Sequence, residues 1–172
     1  MNWLVTHQYD SRAAHLADRH YSRVRSGTRQ FVPPGRMLVL LSEDAQALWV
    51  TSWPRPEMVR RDWYKDAWMC TLFRNESAIP SSQLIREAVA ITRWKYGTPP
   101  PSGMITIVDQ TAVQCEIPGY CFKRAKFKHV GYTKRAGLHI LQITPARMPA
   151  PAAPLGALWE VAACSAVLSL RH

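Results

Sequence analysis

At 172 residues and 47% hydrophobic content, the chain is long enough for one domain with a core and too apolar to be disordered. Four cysteines are too few to staple a secreted domain of this size, and no apolar run reaches the ~18–20 residues of a bilayer helix. Lysine plus arginine number 22 against 12 acids, a net charge of +10, which points to a polyanionic partner, nucleic acid before membrane surface. The start, Met1-Asn2-Trp3, lacks the layout of a signal peptide, so a cytoplasmic location and no membrane partner are expected.

The first predicted element is a short helix over residues 10–19, with Ala13, Ala14, Leu16 and Ala17 as its apolar face. It runs into His20-Tyr21-Ser22-Arg23 and then an irregular basic segment with Arg25, Arg29 and the breaker Pro33-Pro34-Gly35. Strands are expected at 37–41 and 47–51, paired as a hairpin around Ser42-Glu43-Asp44, and a third at 68–73. Pro80-Ser81-Ser82 opens a helix with a serine N-cap, and Leu84, Ile85, Ala88, Val89 and Thr92 share one face. Gly97 and Pro99-Pro100-Pro101 end it. A buried-type strand at 104–108, a short basic helix at 119–126 and two strands at 127–132 and 138–143 complete the order. The expected class is α/β, or α+β around one mixed sheet, as a single domain over 1–144. Residues 145–172 read as a proline- and alanine-rich linker followed by an apolar C-terminal helix.

Chemistry concentrates at element ends. His20 can move protons near neutral pH, and the Tyr21 hydroxyl can donate or accept at a developing charge. Arg74-Asn75-Glu76-Ser77 follows a strand, where α/β sheets keep their sites, and Ser81-Ser82 stand at a helix mouth suited to an anion. Asp109 ends an apolar strand and can serve as a base or orient one. The cysteines lack zinc-finger spacing and read as buried or inert thiols. From 117 to 159 there is no acid, but there are seven cations, three of them interleaved with aromatics in Pro118-Gly119-Tyr120-Cys121-Phe122-Lys123-Arg124-Ala125-Lys126-Phe127. On a continuous helix, Lys123 and Phe127, and Phe122 and Lys126, would lie one turn apart. The candidate phosphate contacts are Arg23, Arg25, Arg29, Lys123, Arg124, Lys126 and Lys128.

The segment from Gly119 through Lys128-His129-Val130-Gly131 resembles the last helix and strand of a GNAT acyltransferase. More narrowly, the order of motifs resembles the Mom-type phage DNA modification proteins over roughly residues 10–143: His20-Tyr21 after a helix, Phe73-Arg74 at a strand end, serines opening the central helix, Asp109 after an apolar strand, then Tyr120. Phe73 to Ser77 and Pro118 to Lys123 also resemble segments of uncharacterised phage and prophage proteins. The resemblance implies a GNAT fold that converts the exocyclic amine of adenine in duplex DNA into a carbamoylmethylamino group, hiding phage DNA from restriction. It implies iron as a candidate cofactor, with the metal and donor otherwise unknown, and leaves a homodimer open. His20 and Tyr21 would lie at the reacting centre, Arg74 would hold an anionic group, Ser82 would sit at the helix mouth, and Asp109 and Tyr120 would handle protons.

Two departures matter. The loop 74–82 has no glycine where GNAT enzymes carry a glycine-rich pyrophosphate loop, which disfavours acetyl-CoA as donor. Gln110 follows Asp109 where proline is expected. The rival readings are an ordinary GNAT N-acyltransferase acting on a small amine or a protein, and a non-catalytic nucleic-acid-binding protein.

Overall fold

The computed structural model describes residues 2–23, 25–28, 30–32, 35–53, 66–113 and 116–157. They form one α+β domain around a mixed sheet. In chain order the elements are β1 (Trp3–Thr6), α1 (Ser11–Asp18), β2 (Arg36–Ser42), β3 (Ala47–Trp53), β4 (Trp68–Asn75), α2 (Ser81–Tyr96), β5 (Met104–Val108), α3 (Tyr120–Arg124), β6 (Lys128–Tyr132), β7 (His139–Ile143) and the two-residue β8 (Gly156–Ala157). The sheet order is β6-β7-β5-β4-β3-β2-β1-β8.

Local chemistry explains most boundaries. Asp10 caps α1 as its carboxylate accepts the Arg12 N–H at 2.9 Å. In the β2–β3 hairpin the Ser42 hydroxyl accepts the backbone N–H of Gln46 and Ala47, which closes the turn. At α2 the expected serine N-cap is corrected: Pro80 holds the cap position without a side-chain bond, and Ser81 and Ser82 are the first helical residues. The Ser81 hydroxyl instead accepts the Asn75 amide at 3.0 Å, so the loop takes the oxygen that would have capped the helix. The predicted apolar face of α2 is buried as expected, and Thr92 is tolerated there because its hydroxyl donates to Ala88 O at 2.8 Å.

Helix α3 is shorter than predicted. It ends at Arg124, and Lys126 takes a φ of 80°. The Phe127 N–H reaches back to Phe122 O at 3.0 Å, a Schellman-type stop that brings the two rings edge to face at 5.3 Å. The one-turn pairings Lys123–Phe127 and Phe122–Lys126 therefore do not form on a continuous helix.

The core has two sides. Leu16, Ala13 and Ala17 of α1 pack with Val39, Leu41, Leu48 and Val50 on one face. On the other, α2 and α3 cover Leu40, Trp49, Trp68, Met104 and Leu141. Strand β1 escaped the sequence reading, yet all four of its residues are buried. The stretch expected to be a linker runs along α2: Arg93 donates to Pro149 O at 2.6 Å and the Ala152 N–H to Ala90 O at 3.3 Å. It then delivers β8 parallel to β1, a strand where the expected apolar C-terminal helix would begin; the rest of that expected helix lies outside the described residues. No helix among the described residues is long and apolar enough to cross a membrane.

One topological feature positions the site. Strands β4 and β5 are parallel neighbours but pair only from Trp68↔Met104 to Cys70↔Thr106. Both continue past that point without a shared ladder. Their C-terminal ends flank an opening in the middle of the sheet, the place where open sheets with parallel strands bind ligands.

Candidate functional site

The opening is a cleft of about 430 Å³. Its walls are the β4 end from Thr71 to Asn75 and the β5 end from Thr106 to Val108. His20 and Tyr21 reach it from the segment after α1, and Tyr120 and Cys121 from the start of α3. Gly119 permits that last approach. It has a φ of 66°, and a Cβ there would stand 2.3 Å from Leu141 Cδ1. The missing side chain lets α3 begin directly against β7, with Tyr120 at the mouth.

The His20 and Tyr21 rings stack at a centroid distance of 4.3 Å. His20 Nδ1 accepts the Ser22 N–H at 3.2 Å, so the neutral ring carries its proton on Nε2. Burial, then the Arg74 charge, push the imidazole down to about 4, against an opposing hydrogen bond that the ring donates to the Phe73 backbone carbonyl. His20 is thus neutral at physiological pH and a weak base. The Tyr21 hydroxyl accepts the Asp109 N–H at 3.5 Å. Loss of water around that hydroxyl raises its pKa, so the phenol keeps its proton. The residue is still 43% exposed.

Arg74 is only partly available. Its Nε donates to Glu76 Oε1 at 2.5 Å, and Nη1 donates to the Arg19 carbonyl. Arg19 grips the same carboxylate at 2.8 and 2.6 Å. Two guanidinium groups, Arg19 first, hold Glu76 down at about 2. The remaining Arg74 nitrogen, Nη2, is the donor these bonds leave for a ligand.

Asp109 lies at the rim. Its carboxylate accepts the Thr111 hydroxyl at 2.7 Å and the Thr111 N–H at 2.9 Å, and these bonds lower its pKa. It touches Tyr21 through its backbone N–H, not through its carboxylate. Ser82 is not part of the cleft lining, and the loop before it is closed on itself. Asn75 donates to Ile79 O at 2.8 Å and accepts the Ser77 N–H at 2.9 Å, while the Ile79 N–H goes to the Ser77 hydroxyl. These N–H groups are spent inside the loop instead of pointing at a phosphate.

The candidate phosphate contacts divide. Arg23 is consumed internally: it pairs with Asp18 at 2.8 Å and donates to Gln30 O and Thr28 O, leaving its side chain 10% exposed. Arg29 lies outside the described residues. Arg25, Arg124, Lys126 and Lys128 are exposed, and Lys123 is half-buried.

Among the described residues, none make up a ligand set for iron: no three histidine, cysteine, aspartate or glutamate side chains come together. Cys70 is buried and its thiol is pushed up by that burial, whereas Cys121 lines the cleft. Cys115 and Cys164 lie outside the described residues.

Sequence reasoning missed Arg19 and the cleft walls Thr71 and Thr106. No spacing rule links Arg19 to residues 55 and 57 positions away, and threonines in strands carry no site signal. Comparison with protein-family models, curated proteins and solved structures found no match for this chain.

Proposed function

We propose that the protein is a DNA-modifying enzyme of GNAT-like fold and Mom type, altering the N6 amine of adenine by carbamoylmethylation to protect DNA from restriction. What carries the reading is convergence. Of the six residues to which the resemblance gives a role in the reaction, His20, Tyr21, Arg74 and Tyr120 line one cleft, and a fifth, Asp109, bonds Tyr21 at its rim. They come from four separate segments of the chain, and Arg74 and Asp109 sit at the ends of neighbouring parallel strands. The acid-free, cation-rich stretch 117–159 supports a DNA partner.

The base leaves the stack to enter the cleft, because N6 inside a duplex is not freely approachable. Arg74 presents the N–H groups of its Nη2 to an anionic group of the donor molecule. Tyr21, protonated, donates to charge developing at the reacting atoms. His20 backs the Tyr21 ring and stays neutral beside Arg74. Asp109 positions Tyr21 through its N–H. The closed, glycine-free loop favours a donor other than acetyl-CoA.

Restriction protection tests the reading. Plasmid from expressing cells should resist endonucleases whose sites contain adenine, and plasmid from cells expressing Tyr21→Phe or Arg74→Ala should be cut. Full cutting of the parent's plasmid would refute it. Acetyl-CoA binding at micromolar strength would favour the ordinary acyltransferase instead.

A further inference from the structure

The β6 edge carries a second aromatic group that the cleft does not use. His129, Tyr132 and His139 form a triangle, with centroid distances of 4.7, 5.1 and 4.9 Å. Strand alternation alone would not assemble it. Residues three apart on a regular strand face opposite sides of the sheet. Here the register slips between His129 and Gly131, so that His129 faces Leu141 and Tyr132 faces His139. The extra residue turns His129 onto the side that Tyr132 and His139 share, the re-aiming that bulges perform beside sites.

The triangle adjoins the cleft. His139 pairs with Val108 on the β5 wall, and its Nε2 donates to Gln110 Oε1 at 2.9 Å, next to Asp109. Tyr132 is 58% exposed, and the exposed Lys126 and Lys128 precede the triangle in the chain. His129 and Tyr132 are exposed and His139 is half-buried; such rings among cations suit a nucleotide, whose base stacks while its phosphates meet lysine. A second copy of the chain suits this edge poorly, since two lysine-bearing edges repel.

We infer that His129, Tyr132 and His139 form a stacking platform for an unpaired DNA base beside the cleft, where a duplex opened for modification exposes one. The inference rests on the DNA reading above for its partner. Its test is fluorescence anisotropy with two labelled duplexes, one fully paired and one with a single unpaired adenine. The parent should prefer the unpaired duplex. The His129→Ala/Tyr132→Ala double variant should lose that preference by roughly 5- to 100-fold, the usual worth of one stacked base, with little change on the paired duplex. Tyr132→Trp, which keeps a ring, should retain it. Both replaced residues are exposed, so the melting temperature should stay near the parent's. Equal affinities of parent and double variant for the unpaired duplex would overturn the inference, as would failure of the parent to bind either duplex. So would a loss of affinity that tracks a change in oligomeric state by sedimentation. A parent that modifies adenine while the double variant binds unchanged sinks the platform alone. A preference lost in the variant, from a parent that modifies nothing, sinks the enzyme reading alone.

Discussion

His20 keeps a neutral ring beside the Arg74 cation, and that has a consequence at low pH. The unfolded ring takes a proton near 6.5 and the folded one near 4. Between those values the unfolded state binds more protons, so stability falls as pH drops through the window. His20→Gln should flatten that fall in urea titrations stepped across it, and a His20 resonance, assigned by its loss in that variant, titrating near 6.5 would contradict the assignment. Glu76 works in the acid range as well. Its folded pKa is about 2 against an ordinary 4.5, so its contribution is present above 4.5 and lost as pH falls toward 2. The carboxylate and both arginines face water, so Glu76→Gln should cost under about 1 kcal/mol. The same change should alter activity more than stability, because it releases the Arg74 guanidinium from its fixed place. Arg23 makes the opposite prediction from the one its charge suggests. Arg23→Ala should lower the melting temperature and leave DNA affinity nearly unchanged, since its guanidinium ties the segment after α1 together.

Among elements, two glycines separate stability from site geometry. Gly103 has a φ of 66°, and an added Cβ would lie 2.1 Å from the Ile143 carbonyl oxygen, a backbone atom that cannot step aside. Gly103→Ala should cost about 1–3 kcal/mol at the β5–β7 junction, read as a lower urea midpoint. Gly119→Ala meets the flexible end of Leu141, so it should cost less stability but displace Tyr120 and reduce activity. Much at this scale was legible beforehand. The β2–β3 hairpin, α2 and β5 followed from apolar period and turn residues, because those signals are local. Strand β1 was not, since four residues without flanking turns carry little pattern and its burial depends on partners 30 or more residues away. The early stop of α3 was missed for a related reason: cations and aromatics read as helical until Lys126 turns left-handed.

Across the whole molecule, the sequence singled out several residues that the fold brings to one cleft, but not their contacts. Order and strand-end position singled out Tyr21, Arg74 and Asp109. That Asp109 meets Tyr21 by its N–H, or that Arg19 shares Glu76 with Arg74, follows only from tertiary packing. The charge distribution makes a molecule-wide prediction. DNA affinity should fall steeply with salt, each neutralised phosphate contributing about −0.9 to the log–log slope. Replacing Lys123, Arg124 and Lys126 together should flatten it, and an unmoved slope would place the duplex on another face. The most direct test is nucleoside mass spectrometry of plasmid DNA from expressing cells. The account predicts deoxyadenosine carrying one carbamoylmethyl group from the parent, with a ~10²–10³-fold drop in its rate of formation for Tyr21→Phe. Deoxyadenosine of unchanged mass throughout, from cells in which the protein is folded and binds DNA, would contradict it.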